Sequence, residues 1–480
     1  QILPYIATYY WNFDVNSGGL ITAEDVYINK VSTVNIYSPL FSLNHLSINN
    51  SNSDGLYLDD ANSQSSAENV TIQNSGANGI EVKPATNALT LKSFTILDST
   101  DYGIYHPSSS TKNLTILDST IERSSGRYQI LSETDNLTIR NSTISNASGY
   151  NQIGIKHSPS SGLLLLDNTT VSNNSVAGDN YAGTDSEVHA GVVGADVQVK
   201  NSEISYNFNL ARRNYINDYD IYCYGVKSQN TLIIDSVVSN NCVREYAGQS
   251  TNWGLYSYCL SSSDDPDCFR IWSHGIFSTK TTSILNSIVY NNSIISLLDD
   301  CNNSNTYLCY VHSHYQNSAY HGYYHRNAFA HNYGILSEGV LKVTNSTIID
   351  NSRGFTYTDN RYYSFNNNGV KVWNENIRLS GGDSSDTSFL NNSNVSGFTC
   401  VSTRAATSTC TNLNIEDARS VYALNSTFEN SERVAAGGLY RQWYIDVNVY
   451  DYDNQPSNGT PLSLRESNNF IVDTGTTDSN

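Results

Sequence analysis

"NLTIRNSTISN", residues 136–146, decides the fold. Leu137 and Ile139 fall on one side of an extended chain and Thr138 and Arg140 on the other, the period of two that a half-buried strand requires. The parity then breaks: the next inward residue is Ile144, not Thr143, so the chain turns a corner near Asn141. Asn and Asp tolerate the left-handed backbone that such a corner needs. Two short strands joined by an Asn corner describe one rung of a parallel β-helix.

The phrase recurs as "NVTIQNS" (69–75), "SFTILDST" (93–100), "NLTILDSTI" (113–121), "LLLLDNTTVSNNS" (163–175), "VQVKNSEISYN" (197–207), "LIIDSVVSNN" (232–241), "SILNSIVYNN" (283–292) and "LKVTNSTIIDN" (341–351). A repeat at such spacing predicts a solenoid. Its corners are read at Asn50, Asn74, Asp98, Asp118, Asn141, Asn168, Asn201, Asp235, Asn286, Asn345, Asn391 and Asn425. A second landmark, Gly before Ile or Val, starts another strand at Gly79, Gly103, Gly154, Gly191, Gly225, Gly275, Gly334 and Gly369. From Gly191, Gly225, Gly275 and Gly334 to the next corner the distance is 10, 10, 11 and 11 residues, whereas from corner to Gly it grows from 5 to 48. Nearly all inserted chain therefore leaves one edge of the solenoid, and stacking gathers the excursions on one side.

The predicted fold class is all-β: a right-handed parallel β-helix of about twelve rungs, about 55 Å long at one strand spacing per rung. Residues 1–42 are expected to form an amino-terminal cap or strand segment. Residues 43–440 form the solenoid, with insertions at 202–224, 236–274, 287–333 and 346–420. At 441–480, "RQWYIDVNVYDYDNQPSNGTPL" changes character and reads as a β hairpin of a small sandwich or an assembly strand.

Composition narrows the function. With 45 acidic against 26 basic residues the net charge is −19, and no Lys/Arg cluster could follow a phosphate backbone, so nucleic acid is disfavoured as a partner. No apolar run is long enough to span a bilayer as a helix. The chain starts at Gln1 and is expected to be extracellular or at the cell surface after removal of a signal peptide. The eight cysteines fall into near-neighbour pairs, Cys223 and Cys242, Cys259 and Cys268, Cys301 and Cys309, Cys400 and Cys410, without the C-x-x-C spacing of zinc or redox sites. Local disulfides that tie down the excursions are the expected use, again in an oxidising compartment.

N-glycans are the modification the sequence suggests. Sequons occur at Asn49, Asn69, Asn113, Asn136, Asn141, Asn146, Asn168, Asn173, Asn291, Asn302, Asn345, Asn391, Asn394, Asn425 and Asn458. Asn at corners followed by Thr in strands also generates the motif by repetition alone. Asn141 is expected to be a poorer acceptor than Asn136, because of its corner position.

The phrase resembles the right-handed parallel β-helix repeats of secreted and surface proteins, the superfamily that includes pectate lyases and polygalacturonases. The resemblance covers roughly residues 43–430. The tail resembles the opening strands of immunoglobulin-like modules that follow such β-helices in archaeal and bacterial envelope proteins, S-layer-type proteins among them. For a galacturonase the resemblance would require N-T-D, D-D, G-H-G and R-I-K in order. Asp59 and Asp60 are present, but His274-Gly275 and His321-Gly322 lack the preceding Gly and the other two motifs are missing, so no catalytic residues are assigned.

Calcium is the only cofactor suggested, by Asp264, Asp265 and Asp267, though a solvated acidic loop explains them as well. His312 and His314, within the Tyr- and His-rich stretch 307–333, have the spacing of two ligands on one strand face, or of a surface that contacts a sugar or a partner. The sequence thus favours a glycosylated structural subunit that assembles with itself into a surface layer or filament. A polysaccharide-binding or polysaccharide-degrading protein and an adhesin are the alternatives.

Overall fold

The fold is seen in a computed structural model. It describes residues 10–476 except 17–20, 39, 60–64, 84–87, 107–112, 148–152, 160, 175, 178–186, 208, 211–220, 246–268, 297–327, 354–369, 397–405, 429–431, 436, 443–449, 451–460 and 466–470.

Among the described residues thirty-seven strands join in one parallel system, and the chain winds through three faces in turn as a right-handed parallel β-helix. One rung consists of Ile104–His106 on sheet one, Asn113–Leu117 on sheet two and Thr120–Glu122 on sheet three. The next begins at Tyr128–Ser132, beside the first strand of the previous rung. Inward residues repeat in register: Leu114 beside Leu137 and Leu164, Ile121 beside Ile144 and Val171. Leu137, Ile139 and Ile144 are each fully buried, as the alternation predicts. The core is a column of aliphatic layers, and the hydrophobic effect that holds it is supplied rung by rung.

Among the described residues, every rung up to Asn345 has two left-handed corners five residues apart, on either side of the short sheet-three strand, and the rungs of Asn392 and Asn425 show the first. The first corners are Asp25, His45, Asn69, Ser93, Asp118, Asn141, Asn168, Asn201, Asp235, Asn286, Asn345, Asn392 and Asn425, all with positive φ. The second corners are Lys30, Asn50, Asn74, Asp98, Arg123, Asn146, Asn173, Tyr206, Asn240, Asn291 and Asp350. The expected series therefore mixes two corners: Asn50, Asn74 and Asp98 are second corners and the rest are first. The 20-residue step from Asp98 to Asp118 is where the reading crossed from one to the other. In the late rung Asn392, not Asn391, carries the positive φ, because Asn391 still belongs to the strand Thr387–Asn391.

Outside the corners, side-chain amides bridge successive rungs. Asn141 Nδ2 donates to Asp118 Oδ1 at 2.9 Å, and Asn168 Nδ2 donates to Asn141 Oδ1 at 3.0 Å. Most corner backbone N–H groups also bond the next rung, as Asn141 N does to the Asp167 carbonyl at 3.1 Å. The corners are thus tied along the axis as well as the strands are.

The ladder starts upstream of residue 43: Trp11–Val15 pairs in parallel with Val31–Ile36, and Ile21–Asn29 with Phe41–Ser51. The excursions are narrower than the sequence implied. Glu203–Ser205, Val237–Ser239, Ile288–Tyr290 and Thr347–Ile349 all lie on sheet three. The span 346–420 contains a further rung, Val370–Leu379, Thr387–Asn391 and Asn394–Ser396. In that rung the glycine position is taken by Asn376, since Tyr333 pairs with Glu375 and Ile335 with Ile377. Gly369 lies outside the described residues.

Residues 1–440 form one compact unit and 441–480 another. In the second, Pro461–Arg465 pairs antiparallel with Ile471–Thr476; the strand expected at 444–450 lies largely outside the described residues. Among the described residues no helix is long and apolar enough to cross a membrane.

Candidate functional site

The three outer faces differ in chemistry. Sheet three carries the in-register hydroxyls Thr71, Thr95, Thr120, Thr143 and Thr170. Sheet two is mixed, with outward Leu163, Leu165, Leu232 and Ile234 and the stacked rings of Phe389, Tyr422 and Tyr440. The outside of sheet one combines rings with cations. Two columns flank the glycine bend: one runs from Tyr102 and Tyr128 to Tyr224, His274 and Tyr333, the other includes Tyr57, Tyr105, Lys156, Lys227 and Phe277. Rings stack along the axis, Tyr102 on Tyr128 at 5.7 Å and His274 on Tyr333 at 5.1 Å. Cations lie over them, Lys83 on Tyr57 at 5.1 Å, Lys156 on Tyr128 at 5.1 Å and Lys227 on Tyr224 at 4.9 Å.

The stripe grades from open to closed. In the early rungs Tyr57, Tyr102 and Tyr105 are half-buried, whereas Tyr224, His274 and Tyr333 are buried. Burial accordingly raises the phenol pKa of Tyr224 and Tyr333 and lowers that of the Lys227 ammonium, with the Glu338 charge opposing the last shift. Carboxylates accompany the early rings. Burial raises the pKa of Asp54, Glu81 and Asp101, and the Asp54 charge adds to the shift of the other two.

At the far end of the stripe Arg378 ties three groups together. It donates to the Tyr333 hydroxyl at 2.6 Å, to Glu416, and to Glu375 at 3.5 Å. Asn414 Nδ2 donates to Glu375 Oε1 at 2.8 Å and to Glu416 Oε1 at 3.2 Å. Burial pushes the Glu375 carboxyl up to about 7 against the pull of Arg378.

Beside the stripe lies the edge from which inserted chain leaves. Val176–Ala177, Asn209–Leu210, Cys242–Glu245, Ser293–Ser296 and Ser352–Arg353 form a small parallel sheet of their own. Immediately before it, a ladder of buried asparagines runs along the axis. Asn174, Asn207, Asn241, Asn292 and Asn351 each donate through Nδ2 to Oδ1 of the next member at 2.8 to 3.3 Å, Asn376 closing the series and donating in turn to Asn412 at 2.7 Å. Each of the first five also donates to a sheet-three carbonyl, Asn241 to Ile204 at 2.7 Å. The glycines face this ladder: a Cβ on Gly225 would lie 2.5 Å from the Gly275 carbonyl and 2.7 Å from Asn241 Nδ2.

A disulfide joins Cys223 to Cys242 across this edge, as the pairing of neighbours predicts. Cys410 sits in the strand Ala406–Ile415. Cys259, Cys268, Cys301, Cys309 and Cys400 lie outside the described residues, as do Asp264, Asp265, Asp267, His312, His314, Asn302 and Asn458. Among the described residues no group of three or more His, Cys, Asp or Glu is placed to hold a metal ion. Of the acid and histidine positions checked for galacturonase chemistry, Asp59 is half-buried beside the Tyr57 hydroxyl at 3.4 Å, and His274 is buried between Tyr224 and Tyr333.

The described sequons all lie on sheets two and three or at their corners. Asn113 and Asn136 open sheet-two strands; Asn69, Asn141, Asn168, Asn345 and Asn425 are first corners; Asn146, Asn173 and Asn291 are second corners; Asn49, Asn391 and Asn394 sit within strands. The corner side chains point outward, and Asn136 is as engaged as Asn141, its Nδ2 donating to Asn113 Oδ1 at 2.8 Å.

Sequence reasoning missed the sheet-one stripe and the asparagine ladder. Their signals were present. An aromatic or His precedes the landmark glycine at Tyr102, Tyr224, His274 and Tyr333, and a doubled Asn marks Asn173-Asn174, Asn240-Asn241 and Asn291-Asn292.

Residues 26–194 match the family model described as "Right handed beta helix region", about a third of the chain. With the parallel ladder that continues beyond the match, this defines the class: a right-handed β-helix repeat protein. Neither the curated proteins nor the solved structures contain a match.

Proposed function

We propose that this is an extracellular β-helix protein of the cell surface that binds an extended, largely neutral polysaccharide along the outside of sheet one. The observation that carries the reading is the division of the outer faces. The described rings with a cation over them are all on sheet one, and every described sequon is on the other two sheets or their corners. Glycans added there would coat the back of the rod and leave the stripe bare. Tyrosines offer apolar faces and hydroxyl edges to sugar rings, and a solenoid repeats those contacts along a polymer. A neutral chain fits better than a polyanion because Asp54, Glu81 and Asp101 share the stripe with Lys83 and Lys156. The disulfide supports an oxidising location. The reading is of binding, not catalysis.

Affinity electrophoresis in gels that contain neutral or uronate-rich polysaccharides tests it. Retardation by a neutral polymer is expected, and Tyr57→Ala combined with Tyr105→Ala should weaken it about tenfold. Equal migration in all gels, or retardation untouched by the double variant, would sink the proposal.

A further inference from the structure

In the first rungs of sheet one two tyrosines meet at an incline. Tyr37 follows the strand Val31–Ile36, and Tyr57 lies in Leu56–Leu58 one rung on. Their ring centroids are 5.7 Å apart and the ring planes make an angle of 57°. Two other described tyrosine pairs bridge successive rungs, Tyr102 with Tyr128 and Tyr422 with Tyr440, but these are stacked, at 18° and 17°. Tyr102 and Tyr105, 5.1 Å apart, belong to a single rung.

The surroundings of this pair suit one-electron chemistry. Tyr37 and Tyr57 are both half-buried, so each keeps part of its surface in solvent. Burial raises the phenol pKa of Tyr57, which therefore holds its proton at neutral pH and must lose it together with an electron. Its hydroxyl donates to Asp59 Oδ2 at 3.4 Å, an acceptor for that proton, while Lys83 Nζ covers the ring face 5.1 Å from the centroid and leaves the ring edge for bonding. Methionine, a common target of oxidants, is absent from the chain, and 35 tyrosines stand against 5 tryptophans, so phenols are what an oxidant meets most often.

We propose that Tyr37 and Tyr57 are a site of oxidative coupling, at which peroxide joins the two rings by a carbon–carbon bond between positions ortho to their hydroxyls. Each phenol gives up one electron and one proton, the two radicals combine at the ortho carbons, and the hydrogens on those carbons move to the oxygens and restore both phenols. One C–C bond replaces two C–H bonds, and the two hydrogens lost reduce one hydrogen peroxide to two waters. The incline selects this pair: substituents beside the new bond keep the joined rings twisted, whereas stacked rings offer each other faces and not edges. The bond links residues 20 positions apart and fastens the first rungs, where Trp11, Phe13 and Val15 are only partly buried, by restricting the unfolded chain as a disulfide does. The inference shares with the proposed function only the extracellular setting, where peroxide is met, and its test involves no glycan.

Treatment of the dilute full chain with a haem peroxidase and hydrogen peroxide tests the inference, with free tyrosine in a parallel tube to verify that the oxidant couples phenols. Gel filtration removes molecules joined through exposed residues such as Tyr206, 51% exposed. An endoproteinase that cuts before aspartate then separates residues 25–53 from 54–58. Mass spectrometry of the monomer should find these two peptides joined and two hydrogens lighter than their sum, with fragmentation placing the bond on Tyr37 and not on Tyr27. Tyr37→Phe, with circular dichroism that matches wild type, should lose the product. Unfolding in urea before oxidation should lower its yield at least about tenfold, because the held geometry is then gone. Coupled free tyrosine without the joined peptides, a link that survives Tyr37→Phe, or a yield unchanged in urea would each overturn the proposal.

Discussion

The short rungs, from Asn69 to Ala147, and the long ones, from Asn168 to Asn351, solve one packing problem in two ways. In both, a glycine on sheet one must approach the residue after the second corner. In the short rungs that residue is Ser75, Ser99 or Ser124, and a Cβ on the facing glycine would come within 2.9 to 3.0 Å of its hydroxyl. In the long rungs it is Asn174, Asn207, Asn241, Asn292 or Asn351. Where the chain turns straight back, a small side chain suffices. Where it leaves the body, the sheet-three carbonyls need a buried donor, and the amide supplies one at each level while passing a second bond along the axis. Backbone satisfaction, not core volume, distinguishes the halves.

The largest expected effect breaks that distinction on the long side. Asn241→Ala removes the donor to Ile204, the acceptor of one Asn207 bond and the donor to Asn292 Oδ1, which should cost about 4 kcal/mol in urea unfolding. Loss of the Cys223–Cys242 bond, which closes 19 residues in the same half, should cost about 3 kcal/mol by the same measurement under reducing conditions.

The halves should also respond to pH in opposite directions. His106, in the short half, is buried and its pKa is depressed from 6.5 to about 4 by burial. The unfolded chain therefore takes up a proton before the folded one, and stability falls as pH drops from 6.5 towards 4, by up to about 3 kcal/mol. Glu375, in the late rungs, is raised from 4.5 to about 7. The folded state holds that proton longer, so stability falls as pH rises from 4.5 through 7, by a similar order. Hydrogen exchange should thus show acid loosening the rungs around Ile104–His106 and neutral pH loosening those around Val370–Leu379. His106→Leu and Glu375→Gln should each abolish one limb.

The smallest effect sharpens the contrast. The hydroxyls of Ser75, Ser99 and Ser124 are buried without a partner. Ser99→Ala should therefore be neutral or stabilise by less than about 1 kcal/mol. A loss comparable to that of Asn241→Ala would show that both halves rely on the same bond.

How much of this was legible can be traced to particular residues. Leu137, Ile139 and Ile144 announced the core because burial on alternate sides leaves a period that any reader of residue type can follow. Asn141 announced the first corner. The second corner stayed hidden because Lys30, Arg123 and Tyr206 fill it as well as Asn, the register of neighbouring rungs imposing a backbone that these residues do not favour alone. The sheet-one stripe was hidden for another reason: its columns draw one residue from each rung, and neighbours in space are 20 to 60 positions apart in sequence. Gly225 and Gly275 were legible as landmarks, but what they make room for, a carbonyl and an amide of other rungs, is a property of the stack.

The asparagine ladder also makes the body modular. From Asn201 to Asp235 a turn of the solenoid takes 34 residues, and from Asn286 to Asn345 it takes 59, yet the cross-section at the amides is the same. Because each exit is sealed by a side chain that bonds only to the body, chain grafted beyond Glu245 and before Phe269 need not match any partner in the core. The rod is in that sense a scaffold on which segments of different length can be exchanged without renegotiating the fold.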